Sequence, residues 1–345
     1  MLRQLFAPDT LEQVKRLFHD SDDIVLMGHA IPDGDAIGSA LGLAAYLKAI
    51  GKDVHVVMTG LFPSYLMWIE GANDIVLADR HYQQACELIR DAHLIGCLDF
   101  NDLTRIDMLA TPVSQSRAHR LMIDHHPHPA SFADVVLSVP SASSTCELVY
   151  RLIDSLGDHD VLPKSGAEAL YAGMCTDTGG FTYNSNDPDV FLIISRLLSK
   201  GIDKDMIYRR IYNNCRESRL RIMGYVLHDK LEVFPELHAS LFTLSEDELK
   251  ALNYQSGDAE GIVNMPLTLQ GHKLSISLRA DMEHPGTIGV SIRSYDDVPA
   301  NDMAQRFFHG GGHFNAAGGK FKGTIEEARA VALQALDFYK DLLMK

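Results

Sequence analysis

In the stretch LMIDHHPHP an apolar run stops at Asp124, His125 and His126, and the following proline prevents a helix from continuing. Three other stretches carry similar chemistry. GHAIPDGDAIGS holds His29, Asp33 and Asp35, CLDF holds Asp99, and CTDTGGF holds Asp177. Aspartate and glycine after a strand are ordinary turn residues, so any one of these clusters alone reads as structure. Together they form a cation problem. Two carboxylates about 4 Å apart repel by about 4 kcal/mol at an effective dielectric of about 20, and several at one edge need positive charge between them. A set of carboxylates and imidazoles without thiolate suits Mn²⁺ or Mg²⁺ better than structural zinc.

The elements that must position these residues follow from the apolar pattern. Continuous apolar runs at IVLMGHA, VHVVMTG, DIVLAD, HLIGCLDF and RLMIDHH are strand-like and are separated by helix-length segments. That alternation predicts a mostly parallel sheet covered by helices on both faces, with ligands beyond the carboxyl ends of the strands. Such a sheet brings His29, Asp33, Asp35, Asp99 and Asp124 to His126 to one edge. Asp177 ends a helical segment and must fold over onto it. From Ser143 the pattern turns helical, and after His228 it changes to short strands at HASLFTLS, EGIVNMPLTLQ, HKLSISLRAD and TIGVSIRSY. The expected class is α/β: a catalytic domain over 1–215, a linker helix over 216–232 and a smaller α+β domain over 233–345. His19, His81, His128 and His272 lack a motif and are read as surface residues.

The 345-residue length allows about two domains of ~150 residues. A net charge of −15 excludes a dedicated binder of long nucleic acid, which needs a basic stripe to neutralise many phosphates. Small anions remain open, because bound metals reverse the local sign. The five cysteines form no CxxC pair and read as reduced, mostly buried thiols of a cytoplasmic protein. No run approaches the ~20 apolar residues of a membrane span, and no membrane partner is expected.

These motifs, followed by the C-terminal GGGHFNAAGG, resemble the DHH phosphoesterase family with its DHH-associated C-terminal domain, over nearly the whole chain. The resemblance implies two divalent ions, Mn²⁺ first and Mg²⁺ as the alternative. His29 and Asp33 would bind one ion, Asp35, His125 and Asp177 the other, and Asp99 both. Asp124 would steady the histidines, and His126 would act on the phosphate or leaving group. Two metals about 3.5–4 Å apart would activate water for in-line attack on a phosphoryl group.

In the second domain, Gly310, Gly311 and Gly312 let backbone N–H groups approach an anion closely. The resemblance adds His313 to that phosphate site. Arg293, in SIRSYDD, is the next candidate for a phosphate, and Asn264, in EGIVNMPL, matches a motif of the oligoribonuclease branch. The compact two-domain form resembles the NrnA-type branch, which acts on short oligoribonucleotides and 3′-phosphoadenosine 5′-phosphate (pAp). Phosphodiesterases of cyclic di-AMP or pApA, exopolyphosphatase-like enzymes and a nucleotide-sensing binder are the alternatives. Many relatives place an arginine where Thr182 follows TDTGGF. Short RNA or small nucleotides are the expected partners, and self-association into a homodimer is left open.

Overall fold

A computed structural model describes residues 2–345. The chain divides into two compact units, Met1–Asn214 and Cys215–Lys345. In the first, six strands form one sheet: β1 (Asp23–Met27), β2 (Asp53–Met58), β3 (Val76–Leu77), β4 (Leu94–Leu98), β5 (His119–Asp124) and β6 (Val135–Ser138). Their order is β3-β2-β1-β4-β5-β6, and every neighbouring pair is parallel. Alternate residues of each strand feed two cores. Ile24, Leu26, Val56, Leu94 and Leu121 face one, and Val25, Met27, Val57, Ile95 and Met122 the other. That is why these strands read as unbroken apolar runs. DIVLAD contributes only the short β3, and the sixth strand comes from DVVLS, which the sequence reading passed over.

The helices of this unit are α1 (Pro8–Asp20), α2 (Gly34–Ala49), α3 (Tyr82–Asp91), α4 (Ala110–Gln115), α5 (Thr145–Ser155), α6 (Lys164–Asp177), α7 (Pro188–Ser199) and α8 (Lys204–Tyr212). After β1 the chain crosses by α2 to β2, and after β4 it leads toward β5 on the other side of the sheet's centre. The loops after β1 and β4 therefore diverge, leaving the crevice in which open parallel sheets bind ligands.

The second unit holds a mixed sheet of order β11-β12-β10-β9-β8-β7. Its strands are β7 (Glu232–Phe234), β8 (Ala239–Leu244), β9 (Leu274–Ala280), β10 (Thr287–Ser294), β11 (Gly311–His313) and β12 (Ala316–Lys322). Its helices are α9 (Glu217–Tyr225), α10 (Glu246–Ala251), α11 (Ala300–Phe308), α12 (Ile325–Phe338) and the short α13 (Lys340–Leu343). Leu274, Ile276, Val290 and Ile292 meet Met303, Phe308, Ala332 and Leu336 in one core. α9 buries Ile222 in a smaller core with Phe242, Leu244 and Leu249, so it packs as part of this unit.

Two expectations need correction. EGIVNMPLTLQ is not a strand: Ile262–Thr268 is a 3₁₀ turn, entered at Gly261 with φ +74° and carrying Pro266, which cannot donate to a ladder. His272 is not a surface residue. It is 8% exposed in the bend before β9, and its Nε2 meets no hydrogen-bond partner among the described residues.

Candidate metal centre

The register of the first sheet sets the level of the site. Met27 pairs with Cys97 and Leu98 with Ile123, so β1, β4 and β5 run out side by side. His29 follows β1, Asp99 follows β4, and His125 and His126 follow β5. Asp99 turns the chain with φ +63°, a conformation aspartate tolerates better than most residues. Asp33 caps α2, accepting from the N–H groups of Asp35 at 2.9 Å and Ala36 at 3.1 Å. This is N-cap geometry, and it places Asp35 in the buried first turn.

Asp177 reaches the same place because glycines let α2 and α6 pack closely. A Cβ on Gly34 would lie 2.2 Å from Thr176 Oγ1, and one on Gly173 would lie 2.2 Å from Cys146 Sγ and 2.9 Å from the Gly34 carbonyl. The backbones therefore nearly touch at the start of α2, and the end of α6 lies over Asp35. The small-residue character of AIGSALG was visible in the sequence. Its pairing with GAEALYAG was not.

The donor atoms form two groups that share Asp99. His29 Nε2 is 3.4 Å from Asp99 Oδ2 and 3.8 Å from Asp33 Oδ1. His125 Nε2 is 3.6 Å from Asp99 Oδ1, 3.5 Å from Asp177 Oδ2 and 3.9 Å from Asp35 Oδ2. In each trio, His29–Asp33–Asp99 and Asp35–His125–Asp177, one donor atom per residue lies within 4.8 Å of the others, and the same holds for Asp99, His125 and His126, which link the two. Most of these separations exceed a good hydrogen bond. Donors each about 2.1 Å from one ion, at roughly tetrahedral or octahedral angles, stand roughly 3.0–3.4 Å apart. The oxygen and imidazole set, with no thiolate among its members, fits two divalent cations.

Neighbours outside the two trios aim these donors. Asp35 accepts from Thr145 N at 2.6 Å and Cys146 N at 2.9 Å, the first N–H groups of α5, where the helix dipole favours a carboxylate. Thr145 Oγ1 donates to Asp99 Oδ1 at 3.0 Å. Asp124, expected to steady both histidines, holds only His126, through Nδ1 at 2.8 Å and the backbone N–H at 2.9 Å. His125 Nδ1 instead faces the Ala142 carbonyl at 3.3 Å, which turns Nε2 toward the carboxylates. Thr145 and Ala142 escaped the sequence reading, although the S-x-x-E capping pattern at Ser144–Glu147 marks that helix start.

Protonation follows from burial and crowding. Burial, and then the charges of Asp99 and Asp177, push the Asp35 carboxyl well above its usual value. Burial raises Asp177 to about 7, with His125 opposing and Asp99 adding. Burial alone would lower His29, but its bonds to Asp33 and Asp99 leave it raised to about 9. The raised values mark an edge where buried carboxylates crowd one another.

In the second unit, Arg293 lies on β10 and His313 on β11, and Gly310–His313 enter the edge hairpin with β12. The glycines serve close approach. A Cβ on Gly310 would lie 1.9 Å from the Gly318 carbonyl, and Gly312 adopts φ +137°. Asn264 is exposed on the Ile262–Thr268 turn. Thr182 is exposed, its hydroxyl donating to the Gly179 carbonyl at 2.8 Å. His19, His81 and His128 are exposed as expected. Among the described residues no helix is long and apolar enough to cross a membrane. All five cysteines are free, three of them buried.

A parallel α/β unit with this donor set at its switch edge, followed by a mixed-sheet unit, is the architecture of a DHH phosphoesterase. The DHH family N-terminal domain matches residues 23–174 and the DHHA1 domain residues 247–339. The bifunctional oligoribonuclease and PAP phosphatase NrnA of Thermus thermophilus is 30% identical over 314 residues, 91% of this chain and 89% of that protein. The cyclic-di-AMP phosphodiesterase GdpP of Geobacillus thermodenitrificans is 29% identical over 94% of this chain, which spans only 49% of that protein. The crystal structure of an exopolyphosphatase-related protein from Bacteroides fragilis superposes with a TM-score of 0.97 at 47% identity, covering 100% of both chains. The chain belongs to the DHH family, and it is a phosphoesterase.

Proposed function

We propose that this protein hydrolyses short oligoribonucleotides and pAp with two divalent ions, Mn²⁺ before Mg²⁺. The observation that carries the reading is the division of Asp99, whose Oδ2 faces His29 and whose Oδ1 faces His125. One carboxylate thereby serves two donor groups, His29 and Asp33 on one side and Asp35, His125 and Asp177 on the other. Two ions bound there would offset the converging carboxylates, lower the pKa of a water and draw charge from the phosphoryl oxygens.

The protein's own groups do the rest. Asp124 fixes the His126 ring through Nδ1, which directs Nε2 to a phosphate or leaving oxygen. Burial lowers the His126 pKa, but the Asp124 bond and the Asp99 charge leave it raised, which suits a group that gives a proton to a departing oxygen. Arg293, Gly310, Gly311, Gly312, His313 and Asn264 are the proposed substrate-binding groups of the second unit.

The names of the relatives support nucleotide chemistry, and GdpP favours a second reading, cleavage of cyclic di-AMP. A panel of pAp, pApA, a five-nucleotide RNA, cyclic di-AMP and polyphosphate, assayed with Mn²⁺, tests both. The expected result is highest kcat/KM on pAp or the short RNA. Preference for cyclic di-AMP would transfer the assignment to the second reading, and preference for polyphosphate would overturn both.

A further inference from the structure

The segment after Asp99 spans the metal edge. The Ala30 N–H, one residue beyond His29, donates to the Arg105 carbonyl at 2.7 Å. On the other side, Asn101 Nδ2 donates to the Pro127 carbonyl at 2.7 Å, next to His126. Thr59 Oγ1 holds the Ile106 carbonyl at 3.2 Å, and Asp102 caps the turn through Thr104 N at 2.8 Å. Asp107 then takes φ +44° and ψ −118°, a region seldom occupied by residues other than glycine, while both preceding carbonyls are claimed. Arg105 is therefore pinned between the loop carrying His29 and the loop carrying His126.

Its side chain is unusual for this protein. Arg105 is partly buried, yet among the described residues its guanidinium makes no ion pair or hydrogen bond, in a chain with 46 acidic and 31 basic residues. The buried Arg151 of the same unit pairs with Glu147 at 2.7 Å and Asp189 at 3.1 Å, and Arg196 pairs with Asp154 at 2.5 Å. Arg105 lies near enough to His126 for their charges to act on one another. A partly buried arginine without an anion of its own is suited to an anion that arrives with the ligand.

We propose that Arg105 binds a non-bridging oxygen of the substrate phosphate beside His126. The proposal deepens the phosphoesterase reading and rests on it. The ligand class is any phosphate ester, since the contact touches neither base nor sugar. Inorganic phosphate titrated into Mn²⁺-loaded protein by calorimetry tests it directly. Arg105→Ala should weaken phosphate binding about tenfold, Arg105→Lys should recover part of the loss, and metal stoichiometry should stay at the wild-type value. If Arg105→Ala melts early, Arg105→Gln replaces it. Unchanged phosphate affinity in the folded variant would overturn the proposal. The wild-type assay on pAp and short RNA separates the two claims: inactivity there sinks the proposed substrates, while the phosphate titration still decides Arg105.

Discussion

Arg293 and His313 face each other across β12. Both pair with Ala316, Arg293 from β10 and His313 from β11. Directly opposed residues in antiparallel strands project to the same face, so the two side chains share one face of the second sheet, about two strand spacings or roughly 9.5 Å apart. Sequence separation hid this, because the two residues lie on either side of α11. The expected outcome is that Arg293→Ala and His313→Ala each raise KM for pAp about tenfold, the worth of a charge-assisted hydrogen bond, with Mn²⁺ content intact. Unchanged KM in both variants, measured by initial rates, would remove this face from substrate binding.

The two adjacent histidines should separate cleanly. His125 Nε2 lies between three carboxylates, whereas His126 is turned to Asp124. His125→Ala should lose metal affinity by more than the 10–100-fold typical of residues that merely support a ligand. His126→Ala should keep both ions and lose turnover. Asp99→Ala should be the most damaging ligand change, because Asp99 belongs to the His29–Asp33 group and its Oδ1 also stands 3.6 Å from His125 Nε2 of the other. Equal metal loss from His125→Ala and His126→Ala in titration calorimetry would refute the division of roles.

Metal-free stability should depend on pH with a definite sign. Burial raises the folded Asp177 pKa from 3.8 to about 7. For His29, burial is outweighed by Asp33 and Asp99, and the pKa rises from 6.5 to about 9. A group raised on folding favours the folded state fully below its unfolded pKa and loses that contribution as pH climbs through its folded pKa. The windows are therefore about 4 to 7 for Asp177 and about 6.5 to 9 for His29. Chelator-treated protein should lose melting temperature from these groups as pH rises. Added Mn²⁺ should restore more at pH 8.5 than at pH 6, because fewer protons compete for the ligands. Equal Mn²⁺ shifts at both pH values would show that these groups do not hold the ion.

The motifs and the parallel sheet were legible because each ligand follows an apolar run, and a parallel register leaves the run ends side by side. Asp177 was less so. Its position depends on the contact of α2 with α6, a property of two helices that neither shows alone. The same contact gives a sharp test. Gly173→Ala would drive a methyl group against Cys146 Sγ and the Gly34 backbone. Overpacking of this kind costs typically about 1–3 kcal/mol, and here it would also move Asp177 from Asp35. Thermal melting should fall and the Asp35–His125–Asp177 group should lose its ion first. A variant with wild-type melting and two ions would show that the contact has slack.

Substrate length follows from the scarcity of positive charge. At −15 the protein repels a long polyanion, and two divalent ions reverse only a small part of that. The cations proposed to meet substrate are few: the ions themselves, Arg105 and Arg293, aided by the glycine hairpin. Each can neutralise one or two phosphates, so added nucleotides beyond the first few gain little attraction and meet the acidic surface. Hydrolysis should therefore be fastest on RNA of roughly two to five nucleotides and weak beyond about ten, with a shallow dependence of log K on log salt. A fluorescent ladder of RNA lengths at two salt concentrations measures both quantities. Equal rates on five and fifty nucleotides, or a steep salt slope on the longer strand, would mean that a basic path exists which these residues do not provide.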